Sequence, residues 1–433
     1  MSLLHFGWFL GAGFGVQGWG DDSYGVGYDW KKPQVYQDAA RVFEASGLDL
    51  LVIEDGVTVP DTYGGTAEVN LASARFVPKH DPLPLVPYLL GATSKLGIVP
   101  TLSASFYEPF TAARLLSTLQ HFADGRLGFN VVTSGSDLAA QNYGLDKQIE
   151  HDQRYDRADE WIDVVRKLWR SWEPDAIVED AAGRVFADYR KVHTIDHEGR
   201  FFRVRGPLTN APLPEEPVMV QAGASGRGQA FAGKNSDVVL ALASTPERMR
   251  AHRESVRQAA ADAGRSPDDI RVLFVVQPIV TANAEESASV RAARAELTQA
   301  AIDEALQSIS YLSGVDFKKF DLDAPLPELS TNSNQGTLDN FVKSAPAGST
   351  LREILQTRAR GDGLAVIGTP DEIADHLATL GEQVGGDGFL FTGHVHPANV
   401  HRILDPLVPA LRRRGVLRTE LGDGGLRQNL LDF

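Results

Sequence analysis

The chain of 433 residues has no cysteine. Disulfides, thiolate zinc sites, iron–sulfur clusters and cysteine nucleophiles are therefore excluded. No apolar run approaches the roughly 18 residues of a membrane span, so none is predicted. The opening "MSLLHFGWFLGAG" lacks a basic leader before a long apolar stretch, which predicts no signal peptide. A soluble cytoplasmic protein is expected. Positive charge is in deficit: 42 Lys and Arg stand against 57 Asp and Glu, a net charge of −15. That balance argues against a nucleic-acid surface. The one dense basic run, "LRRRG" ending at Gly415, falls where a helix would end, and compensation of the helix dipole accounts for it.

Complete phosphate and metal motifs are missing as well. In "VMVQAGASGRGQAF" (Val218–Phe231), Gly223 and Gly228 have the spacing of a nucleoside-triphosphate loop, but Gln229 and Ala230 replace its Lys and Ser or Thr. Read as GxGxxG from Gly226, the stretch puts Phe231 where the third glycine belongs. The setting of Ser225 is not the GxSxG of a serine nucleophile. His193 and His197 in "KVHTIDHEG", and His394, His396 and His401 in "GHVHPANVH", match no zinc spacing, so no metal is predicted.

What is present is ordinary globular material, 43% hydrophobic and 23% charged. Eight apolar, β-rich runs recur along it: Leu4–Leu10, Leu48–Asp55, Leu96–Ser105, Arg126–Ser134, Pro217–Gly223, Asp237–Ala243, Val272–Val280 and Asp387–Gly393. Continuous apolar runs suit strands buried on both faces, as in a parallel sheet. Helical patterns lie between them. "VYQDAARVFEASG" ends in Gly47, and Thr245–Pro246 and Thr369–Pro370 each pair an N-cap with a first-position proline. Strands alternating with helices predict a (β/α)8 TIM-like barrel, one domain over 1–433. Two long insertions, approximately 135–216 and 281–363, follow the fourth and seventh strands. Connections that long carry function or cover a site.

Barrel chemistry sits at the C-terminal ends of the strands. The polar residues expected there are Glu54, Asp55, Thr101, Ser103, Ser105, Asn130, Thr133, Ser134, Ser225, His394 and His396. Such a ring suits a neutral, polar-edged ligand. The loop at Ser225 adds a helix start whose backbone N–H groups attract a phosphate, with Arg227 as a source of charge. A plain strand-to-helix turn that uses glycine for its angles is the other reading of the same residues. His151 and Tyr155 lie four apart at the start of the helical pattern His151–Trp169 and share a face.

Together these segments resemble the bacterial-luciferase-like flavin-dependent monooxygenases, in the branch of nitrilotriacetate, EDTA and dibenzothiophene-sulfone monooxygenases. The resemblance is carried by "EPF" at Glu108–Phe110 and "GRLGFNVVTSGSDLAAQNYG" at Gly125–Gly144. "HDQRYDRADEWIDVVRKLWRSWEPDA" at His151–Ala176, Val185–Leu208 and Pro217–Asp237 extend it. It implies a monooxygenase that uses FMN as FMNH2, with O2 as cosubstrate. A separate NAD(P)H-dependent flavin reductase would supply the flavin. A flavin C4a-(hydro)peroxide would pass one oxygen atom to a small organic, sulfur- or nitrogen-containing substrate. A homodimer or homotetramer is expected, with no nucleic-acid or membrane partner.

Carried over by position, Asp55 matches a flavin-contacting carboxylate, and Thr101 or Ser103 a hydroxyl contact. Asn130 and Thr133 fall on the isoalloxazine side. His151, Tyr155, Ser225 and Gly226 match the ribityl and phosphate end. His151 or His394 would steer a proton. The alternatives are a deazaflavin- or flavin-dependent oxidoreductase of the same superfamily that does not use O2, a flavin-independent barrel hydrolase or isomerase on a phosphorylated substrate, and a flavin-storage protein.

Overall fold

The computed structural model describes residues 2–22, 24–243, 245–357, 364–431 and 433. Eight parallel strands close into a barrel: β1 (His5–Leu10), β2 (Leu50–Ile53), β3 (Gly97–Ser103), β4 (Gly128–Val132), β5 (Val218–Gln221), β6 (Val238–Ala241), β7 (Arg271–Val280) and β8 (Gly388–Thr392). The order around the ring is β6-β5-β4-β3-β2-β1-β8-β7, and β6 pairs β7 to close it. Every apolar run singled out in the sequence coincides with one of these strands, to within one residue for β7 and with overhangs elsewhere.

Alternation along the strands explains why the runs are continuous. Leu50 and Val52 point into the barrel with Val99, Val220, Val238, Leu273 and Leu390. Leu51 and Ile53, one residue out of phase, pack outward against the helices with Phe6, Trp8 and Phe43. Each strand is thus buried on both faces, and no polar alternation survives to mark it.

The surrounding helices include α1 (Gln34–Ser46), α2 (Pro109–Ala123), α3 (His151–Trp169), α4 (Gly226–Asn235), α5 (Pro246–Asp262), α6 (Gln299–Ser313), α7 (Gln335–Val342), α8 (Pro370–Val384) and α9 (Pro397–Arg413). The predicted caps form. Thr245 Oγ1 accepts from Arg248 N, and Thr369 with Glu372 makes a full capping box. The stretch after β4 is not all excursion. Within it, α3 packs on α2, and its Trp161 and Trp169 indoles donate to Tyr107 O (2.8 Å) and Ala113 O (3.0 Å). It serves as the barrel helix that follows β4. The stretch after β7 gathers its own apolar cluster from Ile302, Leu306, Ile309, Phe317, Leu338 and Phe341. The last residues of that expected insertion, 358–363, lie outside the described residues.

Besides three small two-stranded sheets among the described residues, one strand added to the barrel sheet itself has no counterpart among the predicted runs. Leu364–Gly368 pairs in parallel with Val276–Val280, the far half of β7. β7 runs on past its pairing with β8, which covers Leu273–Val276, and leaves an edge that this short segment fills. Below the ring, helix Gly425–Leu431 drives Leu426 and Leu430 into the barrel. A Cβ at Gly97 or Gly128 would sit 2.5 or 3.3 Å from Leu426 side-chain atoms, so glycine at both positions makes room for the plug. Among the described residues no helix is long and apolar enough to cross a membrane.

Candidate functional site

A cavity of about 520 Å3 opens at the C-terminal ends of β2, β4, β5 and β6. Its size falls within the range of small-molecule and cofactor sites. Glu54–Val57 form one wall and Val132–Ser136 the floor. Gln221–Ser225 and Leu240–Ala243 close the far side. His151, Arg154 and Tyr155 reach in from α3, and Arg248 and His252 from α5. Tyr311 and Leu312 of α6, with Ser333, Asn334, Thr337 and Asn340, cover it from above.

The Ser225 end is built from a helix start. Ser225 is the N-cap of α4, and its Oγ accepts from Gly228 N at 3.1 Å. Gly226 is the first residue of that helix. The Tyr155 hydroxyl faces Thr133 and Ser225. A Cβ at Gly228 would lie 2.8 Å from Tyr155 Oη and 3.0 Å from Ser225 Oγ. Glycine there lets the tyrosine close over the first turn. Burial holds the Tyr155 hydroxyl above its ordinary pKa, so it stays a neutral donor. The rings of His151 and Tyr155 lie 5.3 Å apart, as their spacing on one helix face predicts.

The opposite wall is acidic. Burial, then the neighbouring Glu54 charge, pushes the Asp55 carboxyl up to about 6. Glu54 is itself paired with Lys79, whose side chain is 3% exposed. Burial opposes the charge on Lys79, but Glu54 outweighs it and keeps the ammonium above its ordinary value. Tyr311 completes this wall, accepting from Thr58 Oγ1 at 3.4 Å, and burial raises its hydroxyl too.

Of the residues named from the sequence, Asp55, Thr133, His151, Tyr155 and Ser225 line one cavity. Thr101, Ser103 and Asn130 lie beneath it, buried. Asn130 Nδ2 donates to Thr101 Oγ1 (3.0 Å), Thr101 Oγ1 donates to Ile53 O (2.8 Å), and Ser103 Oγ lies 2.8 Å from Oγ of the lining residue Ser134. His394 is not part of the lining. Its Nε2 pairs with Asp21 at 2.9 Å, in the chain that follows β1, and burial lowers its pKa. Arg227 is likewise taken: Asp156 and Asp159 hold its guanidinium at 3.0 and 2.6 Å. Two arginines line the cavity instead, Arg248 on its α5 side and, deeply buried, Arg154, which no sequence motif singles out. It reads as one more charge on a helix until the fold buries it.

Comparison with known proteins agrees with this architecture. The family model for luciferase-like monooxygenases matches residues 4–405. Dibenzothiophene-sulfone monooxygenase of Rhodococcus erythropolis is 34% identical over 413 residues, covering 93% of this chain and 90% of the relative. Dimethyl-sulfide monooxygenase of Hyphomicrobium sulfonivorans is 36% identical, covering 92% and 83%. Nitrilotriacetate monooxygenase component A of Aminobacter aminovorans is 34% identical, covering 92% and 89%. Among solved structures, riboflavin lyase with modified FMN and riboflavin superposes with a TM-score of 0.87 at 29% identity, covering 100% of this chain and 96% of that one.

Proposed function

The chain belongs to the luciferase-like monooxygenase family and is a flavin-dependent monooxygenase; on that premise we propose that it uses reduced FMN and O2 to place one oxygen atom in a small organosulfur compound. A separate NAD(P)H-dependent flavin reductase would supply the reduced FMN. Two of the relatives are named for a sulfone and a sulfide, and another is named as one component of a system, which supports both parts of this reading.

The observation that carries the cofactor assignment is the Ser225 end of the cavity. A helix N-terminus and the Ser225 and Tyr155 hydroxyls meet there, and Arg154, the neighbour of Tyr155 on α3, lines the same cavity. Together they suit one terminal phosphate. The lining residues also carry unmet hydrogen-bonding capacity. Arg154 Nε, Gln221 Oε1 and His252 Nε2 are buried without a protein partner. A polar-edged ligand would satisfy such groups. The residues therefore fit FMN.

In this reading Ser225, Tyr155 and His151 hold the phosphate and ribityl chain, while Asp55 and Thr133 bound the ring. Thr101, Ser103 and Asn130 stiffen the floor from below. When bound, reduced FMN supplies the electrons that activate O2. The protein orients cofactor and substrate and keeps water out. Asp55 holds a proton on its carboxyl below about pH 6 and releases it above, on a wall that the ligand must touch. His394 has no part in this assignment. Two measurements test the reading: quenching of FMN fluorescence on titration with the protein, and oxygenation of a sulfide or sulfone when reduced FMN is supplied. Tight FMN binding with turnover supports it; turnover without flavin would refute it.

A further inference from the structure

Arg154 is 2% exposed and sits in the first turn of α3. Its Nη1 donates to Ile149 O at 2.8 Å and, at 3.5 Å, to Asn332 Oδ1. Its Nη2 donates to Ser333 O at 2.9 Å. Its Nε has no partner, and among the described residues no carboxylate pairs with it. A buried guanidinium without a counter-ion is costly. An anion arriving in the cavity that Arg154 lines would relieve that cost.

Two of the groups Arg154 touches, Asn332 Oδ1 and Ser333 O, belong to the segment Thr331–Asn340, which covers the cavity and includes the start of α7. This segment is seated closely. A Cβ at Gly135 would lie 2.8 Å from Ser333 backbone atoms. A Cβ at Gly336 would lie 2.7 Å from Ala224 Cβ and 3.4 Å from Ser225 N. Asn332 Nδ2 donates to Ile149 O at 3.2 Å. One face of the segment thus rests on the Ser225 loop, and another is held by the arginine.

We propose that Arg154 is the counter-charge for the terminal phosphate at the Ser225 loop, and that phosphate binding fixes Thr331–Asn340 down over the cavity. Cofactor loading then completes the wall that faces the substrate. This rests on the FMN reading of the same site. Riboflavin, which lacks the phosphate, enters the cavity without fixing the segment. The two roles of Arg154 are separable: Arg154→Lys keeps the charge and loses the fork that holds Ser333 and Asn332, whereas Arg154→Gln loses the charge.

The test titrates FMN, riboflavin, and riboflavin with inorganic phosphate against wild type, Arg154→Gln and Arg154→Lys, by flavin fluorescence. Amide hydrogen exchange of residues 331–340 is followed in parallel. Wild type should prefer FMN to riboflavin by about 30-fold, and Arg154→Gln should lose about 10- to 100-fold in FMN affinity with riboflavin unchanged. FMN should slow exchange across 331–340 in wild type, and riboflavin alone should not. Inorganic phosphate added with riboflavin should restore part of that protection. Arg154→Lys should bind FMN within about threefold of wild type yet show no slowing, and it decides the matter if Arg154→Gln fails to fold. FMN affinity unchanged in Arg154→Gln, equal protection by riboflavin, or full protection in Arg154→Lys would overturn the inference. Failure of wild type to bind either flavin would instead overturn the FMN reading beneath it.

Discussion

At the N-terminal mouth of the barrel, Leu426 and Leu430 fill the opening and the charges around them are matched. Asp49 lies 3.1 Å from Arg418 and 3.2 Å from His5, and Arg427 meets Asp237 at 2.7 Å. At the C-terminal mouth the opposite holds. There a cavity remains, Arg154 is buried without a carboxylate, and the Asp55 carboxyl is pushed toward neutrality. One end fills its opening with apolar side chains, and the other keeps a cavity lined by polar groups. In barrel proteins that asymmetry separates stability from chemistry. Polar groups left wanting inside a fold are where a ligand has something to offer.

Substitutions at the two ends should therefore differ in kind. The largest effect is expected at the Glu54–Lys79 pair. Lys79→Met leaves Glu54 without its partner and should cost about 3–5 kcal/mol in chemical denaturation, most of it regained in the double variant with Glu54→Gln. Equal losses in the single and double variants would mean that the pair matters only for its packing. Leu426→Ala opens the plug and should cost about 2–4 kcal/mol, with FMN affinity unchanged. A fall in FMN affinity there would erase the distinction between the two mouths.

Asp55→Asn should act in the other direction. Because its folded pKa of about 6 lies above the unfolded value, ionising Asp55 destabilises the fold as pH rises from about 4 to 6. The penalty is fully present above that window and absent below it. The amide variant should be more stable than wild type by about 1–2 kcal/mol at pH 7.5, after discounting for partial exposure, and indistinguishable at pH 3.5. Denaturant midpoints at the two pH values check this, and a pH-independent difference would remove the charge from the explanation. The smallest stability change belongs to Ser225→Ala, about 1 kcal/mol for a lost cap. Its FMN affinity should nonetheless fall about tenfold. Unchanged flavin binding there would move the phosphate elsewhere.

How much of this could be read from the sequence differs between scaffold and site. The eight barrel strands were legible because burial on both faces leaves uninterrupted apolar runs. The caps at Thr245 and Thr369 were legible because capping is local. Leu364–Gly368 escaped because five residues carry too little pattern and their partner, the overhang of β7, exists only in the fold. His151 and Tyr155 were legible as a helical pair. Arg227 was the arginine the sequence pointed to, because it sits in the Ser225 loop, whereas Arg154 carries no such sign. Only tertiary contacts show that Asp156 and Asp159 neutralise Arg227, while Arg154 bonds to carbonyl and amide oxygens and, among the described residues, to no carboxylate. Lys79 was illegible for the same reason: its partner Glu54 is 25 residues away.

The most direct test of the central claim is isotopic. The protein is given reduced FMN under labelled O2 with a panel of organic sulfides and sulfones, and the products are weighed by mass spectrometry. One labelled oxygen atom per product molecule, dependent on FMN, is the predicted result. Product formed without O2, or carrying oxygen drawn only from water, would contradict it.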